Sequence, residues 1–398
     1  MKYNQKAILC LFFVVAFMFS VLEPLVTDNR VLAAVDVSSK VVLLGQPFKQ
    51  QPFARNVWDM QVFNGKIYLG SGNYLNGGPS VSPGPIPIMY YDPQTNKFVT
   101  EYTVDEEQID VYKIIDGKLT IPGTDATDSW DFGNYYVLEN AKWQKIRTIP
   151  VCSHVFDMAS YNGKLYAAIN GESSANIAFT ASSNKGKTWT SQMSASSGSP
   201  FFGSRGMTLF EFRGKLYGVG LQYLGFNSTA SHINVLVMDG NQSVIQKMPN
   251  LLPGAQKYSL LRIFRPYTVN NNLVYLGVFD NIDGSQWKPY GLYVASDLNQ
   301  PRRIVLPQGE ALPADILVRG STTYVMAFCG SVENGYTNIV YKSENLNQWT
   351  ELFRFKCDTF PRSFEELNGD FYFGLGTLAY PLKASAGSIL KVPKDSYK

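Results

Sequence analysis

The sequence predicts an all-β protein built as a single seven-bladed β-propeller, and three observations carry that expectation. A Gly-centred hairpin recurs seven times, its spacing is close to that of a four-stranded blade, and the copies use up the chain after its first 34 residues. Composition agrees: 14% of residues are aromatic, with 24 Tyr, 25 Phe, 33 Gly and 21 Pro, which suits many short strands joined by tight turns.

The chain opens with the basic segment MKYNQK and runs uncharged from Ala7 to Leu22, with small residues at Ala33 and Ala34. This reads as a secretory signal over residues 1–34, which makes the mature chain 35–398 secreted. Sixteen apolar residues fall short of the roughly 17 to 25 that a spanning helix uses, and no later stretch is long and apolar enough to span. Charged residues are 17% and the formal net charge is +3, too weak and dispersed for the basic face of a nucleic-acid binder.

The repeat units are VFNGKIYLGSG at Gly65, IIDGKLTIPG at Gly117, SYNGKLYAAING at Gly163, EFRGKLYGVG at Gly214, VNNNLVYLGVF at Asn272, LVRGSTTYVMAF at Gly320 and ELNGDFYFGLG at Gly369. Successive spacings are 52, 46, 51, 58, 48 and 49 residues. Asn-Gly, Asp-Gly or Arg-Gly between two apolar runs marks a two-residue hairpin, whose central residues need positive φ. A second hairpin in each repeat, such as MYYDPQTNKFVTEY or YYVLENAKWQKI, supplies strands three and four.

Blades are expected near 55–105, 106–150, 151–196, 200–250, 255–306, 310–355 and 358–393. The last lacks a fourth strand of its own, so Lys40 to Gly45, within 38–48, should pair beside the strand near Ile389 and close the ring. A six-bladed ring with one irregular blade is the open alternative.

Ser182-Ser183-Asn184-Lys185-Gly186-Lys187-Thr188-Trp189 resembles the Asp-box, Ser-x-Asp-x-Gly-x-x-Trp, of sialidase-like (BNR repeat) propellers, with Asn184 in place of Asp. Ser343 to Trp349 resembles a shortened copy and Ser296 to Asn299 a remnant. The resemblance implies that Ser182, Asn184, Gly186 and Trp189 staple a turn between strands three and four, away from any active site. The Gly-Lys-Leu-Tyr strand also resembles kelch-like propellers, without their Gly-Gly pairs. A sialidase would need an arginine triad, a Tyr/Glu pair and an Asp; Phe264-Arg265-Pro266 matches the family's Phe-Arg-Ile-Pro only in part and sits in blade five.

Function is expected on the face where loops leave strand two and blades connect. Arg55, His154, Arg205, Arg262 and Arg362 lie seven to ten residues before their hairpin residues, where strand one begins. Converging guanidiniums would suit a carboxylate, sulfate or phosphate; pairing with loop Asp or backbone carbonyls is the alternative. Asp125, Asp128 and Asp131 surround Trp130, a grouping suited to a sugar, to calcium, or to a solvated turn. The candidate catalytic residues are Asp125, Asp131 and His154.

With only His154 and His232 present, a three-His metal site is excluded, and no nucleophile elbow or dinucleotide fingerprint appears. The expectation is therefore a cofactor-free, monomeric binding propeller for a glycan or cell-surface ligand, with a glycan-cleaving hydrolase or lyase as the alternative. Cys329 and Cys357 are candidates for a disulfide, or for two buried thiols, with Cys152 free.

Overall fold

The computed structural model describes residues 35–74, 84–171, 178–192, 205–223, 232–254, 260–279, 288–378 and 381–398. The proposed signal over residues 1–34 and the side chain of His232 lie outside what is described. Seven antiparallel sheets follow one another around a ring. Their innermost strands are Asp59–Phe63, Lys113–Ile115, Cys152–Tyr161, Gly206–Phe212, Leu260–Val269, Leu312–Arg319 and Pro361–Leu367, for blades 1 to 7. No helix among the described residues is long and apolar enough to cross a membrane.

The repeated hairpins form as their turn chemistry dictates. Asn64-Gly65, Asp116-Gly117, Asn162-Gly163, Arg213-Gly214, Asn270-Asn271 and Asn368-Gly369 all hold positive φ at both central residues, the mirror-image turn that matches strand twist. Blade 6 turns one residue later, at Gly320-Ser321, with only Gly320 at positive φ.

The ring closes as expected. Val42–Gly45 pairs antiparallel with Ile389–Val392 as the outermost strand of blade 7. Just before it, Val37 N donates to Arg354 O at 2.8 Å and Arg354 N donates to Val35 O at 2.9 Å, so one segment fastens blades 6 and 7. Between blades the packing is aromatic: Tyr68 meets Tyr112 and Trp143 of blade 2 at 5.9 and 6.2 Å, and Phe353 of blade 6 meets Phe371 and Phe373 of blade 7 at 5.4 and 6.2 Å. Each such ring removed from water contributes on the order of 1.5 to 3 kcal/mol.

Polar staples join neighbouring inner strands. Asp59 accepts from Tyr112 N at 2.5 Å, Asp157 from Leu209 N at 2.9 Å, and Asp315 from Phe364 N at 3.0 Å. Thr208 donates to Ile263 O and Ser363 to Val57 O, both at 2.8 Å. In five of the seven blades, therefore, one short polar side chain satisfies a backbone group of the next blade. These partners keep buried polar groups from being left unpaired.

At the loop face the blades are stitched differently. The upper parts of blade 2's first two strands, Glu106–Gln108 and Thr124–Ala126, leave their own sheet and extend that of blade 3. Gly72 of blade 1 bridges to Gln108, and Asn170 of blade 3 bridges to Arg205 of blade 4. The rim of blades 1 to 4 is thus one continuous ladder.

Candidate functional site

The inner strands of all seven blades line a central channel with a cavity of about 270 Å³. Its middle is crossed by Arg265, whose side chain is 8% exposed and pairs with Asp59 at 2.5 Å and Asp315 at 3.0 Å. Arg265 also donates to Trp58 O at 3.2 Å. The local cause is Pro266: it cannot donate to the ladder, and the strand bulges between Phe264 and Tyr267 with Arg265 at φ 49°. Although burial opposes its charge, the two carboxylates push the guanidinium's pKa further up. Phe264-Arg265-Pro266 is thus a channel plug. Nearby, Lys113 pairs with Asp157 at 2.9 Å, so the channel's cations are spent on its own carboxylates.

Above the plug, the ladder sets Gly72, Gln108, Thr124, His154, Asn170 and Arg205 opposite one another in register across four blades. Directly opposed residues share a face of a sheet, so an amide, a hydroxyl, an imidazole, an amide and a guanidinium form one row. His154 stacks on Phe156 at 5.1 Å and meets Tyr74 edge-on at 6.0 Å. Its Nδ1 has no hydrogen-bond partner, and burial together with Arg205 lowers its pKa to about 3, leaving a neutral ring. Gln108 accepts from Tyr74 N at 3.4 Å and donates to Asp110 at 3.0 Å, while Asp110 faces Arg262 at 3.5 Å.

The other face of the blade 2 ribbon is acidic. Glu107 lies opposite Asp125, because Glu106 pairs with Ala126 and Gln108 with Thr124. Asp125 holds φ 65°, and burial, then the charge of Glu107, pushes it up to about 7. Glu106, back on the Gln108 face, is fully buried; one carboxylate oxygen accepts from Asn134 at 2.7 Å and Tyr136 at 3.0 Å, the other has no partner, and burial pushes the group up to about 8.

The remaining candidates separate. Arg55 donates to the carbonyls of Ala386 and Ala384 at 2.8 and 2.6 Å, and Arg362 donates to Thr377 O at 2.9 Å while lying over Trp58 at 4.3 Å. Those two serve the junction of blades 7 and 1, so the expected convergence of five cationic positions is corrected to Arg205 and His154, with Arg262 deeper. Asp128 pairs with Lys145 and, at 3.7 Å, with Arg147; Asp131 accepts from Ser129 at 3.0 Å; Trp130 is 48% exposed. The three carboxylates do not converge, and among the described residues no three His, Cys, Asp or Glu side chains are placed to hold a metal. Sequence reasoning missed Gln108, Thr124 and Asn170, whose only signal is their place next to the repeat.

The Asp-box residues form a turn staple. Ser182 accepts from Gly186 N at 2.8 Å, Asn184 from Thr188 N at 2.9 Å, and Trp189 donates to Thr148 of blade 2 at 3.0 Å. Of the two readings for Cys329 and Cys357, the disulfide is not formed: both are thiols, and Cys152 likewise is in no disulfide. Cys329 pairs with Thr337 in strand three, and Cys357 pairs with Tyr336 from the other side, in strand four. Two strand spacings, roughly 10 Å, exceed the Cα separation a disulfide spans.

No family model and no curated protein matches the chain. Among solved structures it is similar to streptogramin B lyase (12% identity, 89% of this chain and 98% of that one, TM-score 0.53). It is likewise similar to a catalytically inactive virginiamycin B lyase from Staphylococcus aureus with quinupristin (11%, 88% and 98%, 0.53). A Penicillium chrysogenum alpha-L-arabinanase complexed with arabinobiose aligns at 13% identity over 89% and 97%, TM-score 0.45. At such identities the likeness to the two lyases shows the fold alone.

Proposed function

We propose that this chain is a secreted, monomeric binding propeller that holds a glycan at the channel mouth over blades 1 to 4. One observation carries the reading: the in-register row of Gln108, Thr124, His154, Asn170 and Arg205, flanked by Tyr74. The part-exposed members of the row, the neutral imidazole of His154, the amide of Asn170 and the guanidinium of Arg205, beside Tyr74, match the hydroxyls, carboxylates and C–H faces of sugars, while buried Gln108 and Thr124 hold the ladder that carries them. Secretion rests on the basic start and the uncharged run from Ala7 to Leu22. The Ser182 and Ser343 turns are read as degenerate Asp-boxes, structural in role.

A glycan array probed with the protein and with Arg205→Ala tests this. Removing one charge-assisted hydrogen bond costs about 1.5 to 3 kcal/mol, so affinity should fall roughly 10- to 150-fold. Binding that is indifferent to Arg205 would overturn the placement.

A second reading, a glycan-cleaving hydrolase or lyase, is favoured by Asp125 alone, a carboxyl poised near neutrality opposite Glu107. It requires turnover of oligosaccharides that Asp125→Asn abolishes while binding survives.

A further inference from the structure

Trp130, Phe132 and Val151 are 48%, 40% and 39% exposed, three of ten large hydrophobic side chains exposed among the described residues, and they stand on adjoining backbone, with Phe132 paired to Pro150. Val151 N donates to Asp131 O at 2.8 Å and Cys152 N to Trp130 O at 3.2 Å, so the strand start of blade 3 is bonded along this patch. Exposed apolar groups gathered on one spot, with a polar rim, mark recognition surfaces more often than scattered ones do.

This patch is held in place from behind. The indole N–H of Trp130 is satisfied by Ala126 O at 3.2 Å, which fixes the ring against the ribbon that carries Asp125. Arg147 donates to Ser129 O and Oγ at 2.6 and 2.8 Å and lies over Phe132 at 5.6 Å. Val151 holds φ 52°, a costly conformation for a β-branched residue, and such strain persists where the surroundings over-determine it.

We infer that Trp130 and Phe132 form an outer stacking subsite continuous with the channel mouth, so that the ligand is an oligosaccharide rather than a single sugar. This rests on the glycan reading above. Cys152, whose N–H bonds Trp130 O, is two residues from His154 along the bulged start of the strand, at most about 7 Å, a span that a short chain of linked rings covers. The rim charges are already matched, Lys145 with Asp105 and Asp128 and Arg147 with Asp128, which suits an uncharged ring face and its hydroxyls at this end. A flat aromatic face with hydrogen-bonding edges is amphipathic in the same sense as a pyranose.

Calorimetric titrations with oligogalacturonides and with cello-oligosaccharides of two to six units test the inference. At least one series should bind, with affinity rising about tenfold or more as the chain lengthens. Trp130→Ala should flatten that rise and leave the dimer unchanged, Trp130→Phe should restore part of it, and Arg205→Ala should weaken every length. Trp130 is half exposed, so an unchanged melting temperature is expected and separates lost stacking from lost folding. A length dependence that survives Trp130→Ala while Arg205→Ala still weakens binding overturns the subsite and leaves the mouth reading standing. Binding of neither series at any length overturns both.

Discussion

Arg265→Met removes the plug while keeping an unbranched chain of similar length in the channel. The guanidinium's partners, Asp59 and Asp315, are each 3% exposed, with buried Glu365 close by. Removing one partner of a buried ion pair costs about 3 to 5 kcal/mol, chiefly because the remaining charge stays buried. The low end applies here, about 3 kcal/mol, because Asp59 keeps Tyr112 N and Asp315 keeps Phe364 N and Ile316 N as donors. Urea unfolding should show the loss as a lower midpoint at unchanged slope. The combination Arg265→Met, Asp59→Asn, Asp315→Asn should be more stable than the single variant, since no uncompensated charge remains. The sign with pH is also fixed: burial holds Asp315 up at about 6 even beside Arg265, so acid protonates the stranded carboxyls and the deficit should be smaller at pH 5 than at pH 8. A single variant within 1 kcal/mol of the parent, or a triple variant no better, would refute the plug's role.

Gly186 holds φ 80°, and a Cβ there would sit 1.8 Å from the Tyr135 hydroxyl, so Gly186→Ala should lower the thermal midpoint by several degrees, with Tyr135→Phe restoring part of it; an unchanged melting curve would show that the staple does not bear on blade packing. Glu106, pushed up to about 8 by burial, holds a proton in the folded chain that the unfolded chain loses near its ordinary pKa of about 4.3. Below that value the two states bind protons alike; above it stability falls, by up to about 1.4 kcal/mol per pH unit, until pH 8. Glu106→Gln should flatten the decline seen in urea midpoints between pH 5 and pH 8, and an unaltered slope would show that Glu106 does not titrate in this window.

The seven blades were legible because each hairpin is a local event: Asn64-Gly65 or Asn162-Gly163 needs only its own backbone to choose positive φ. The closing strand was legible too, since blade 7 ran short of residues and Lys40 to Gly45 was apolar and unassigned. The staples were half legible: Asp59, Asp157, Thr208 and Ser363 each stand six residues before a hairpin Gly, but their partners belong to the next blade. The arginines misled for the same reason. A position seven to ten residues before a hairpin does not set a common direction once strands bulge, as they do at Gly206/Thr208 and Pro361/Ser363, and Arg362 turns onto Trp58 while Arg205 stays on the rim. The rim ladder was not legible, because strand two of one blade pairs there with strand one of the next. Pro266 inside a strand was the one warning of the plug.

Hydrogen exchange of the protein with and without its best-binding oligosaccharide reports where the ligand sits without assuming a reaction. Slowed exchange is expected at Glu106–Gln108, Thr124–Ala126 and the start of Cys152–Tyr161, with the hairpin turns at Gly65, Gly117 and Gly163 on the opposite face unchanged. Protection confined to those turns, or to blades 5 to 7, would contradict a ligand site at the mouth of blades 1 to 4.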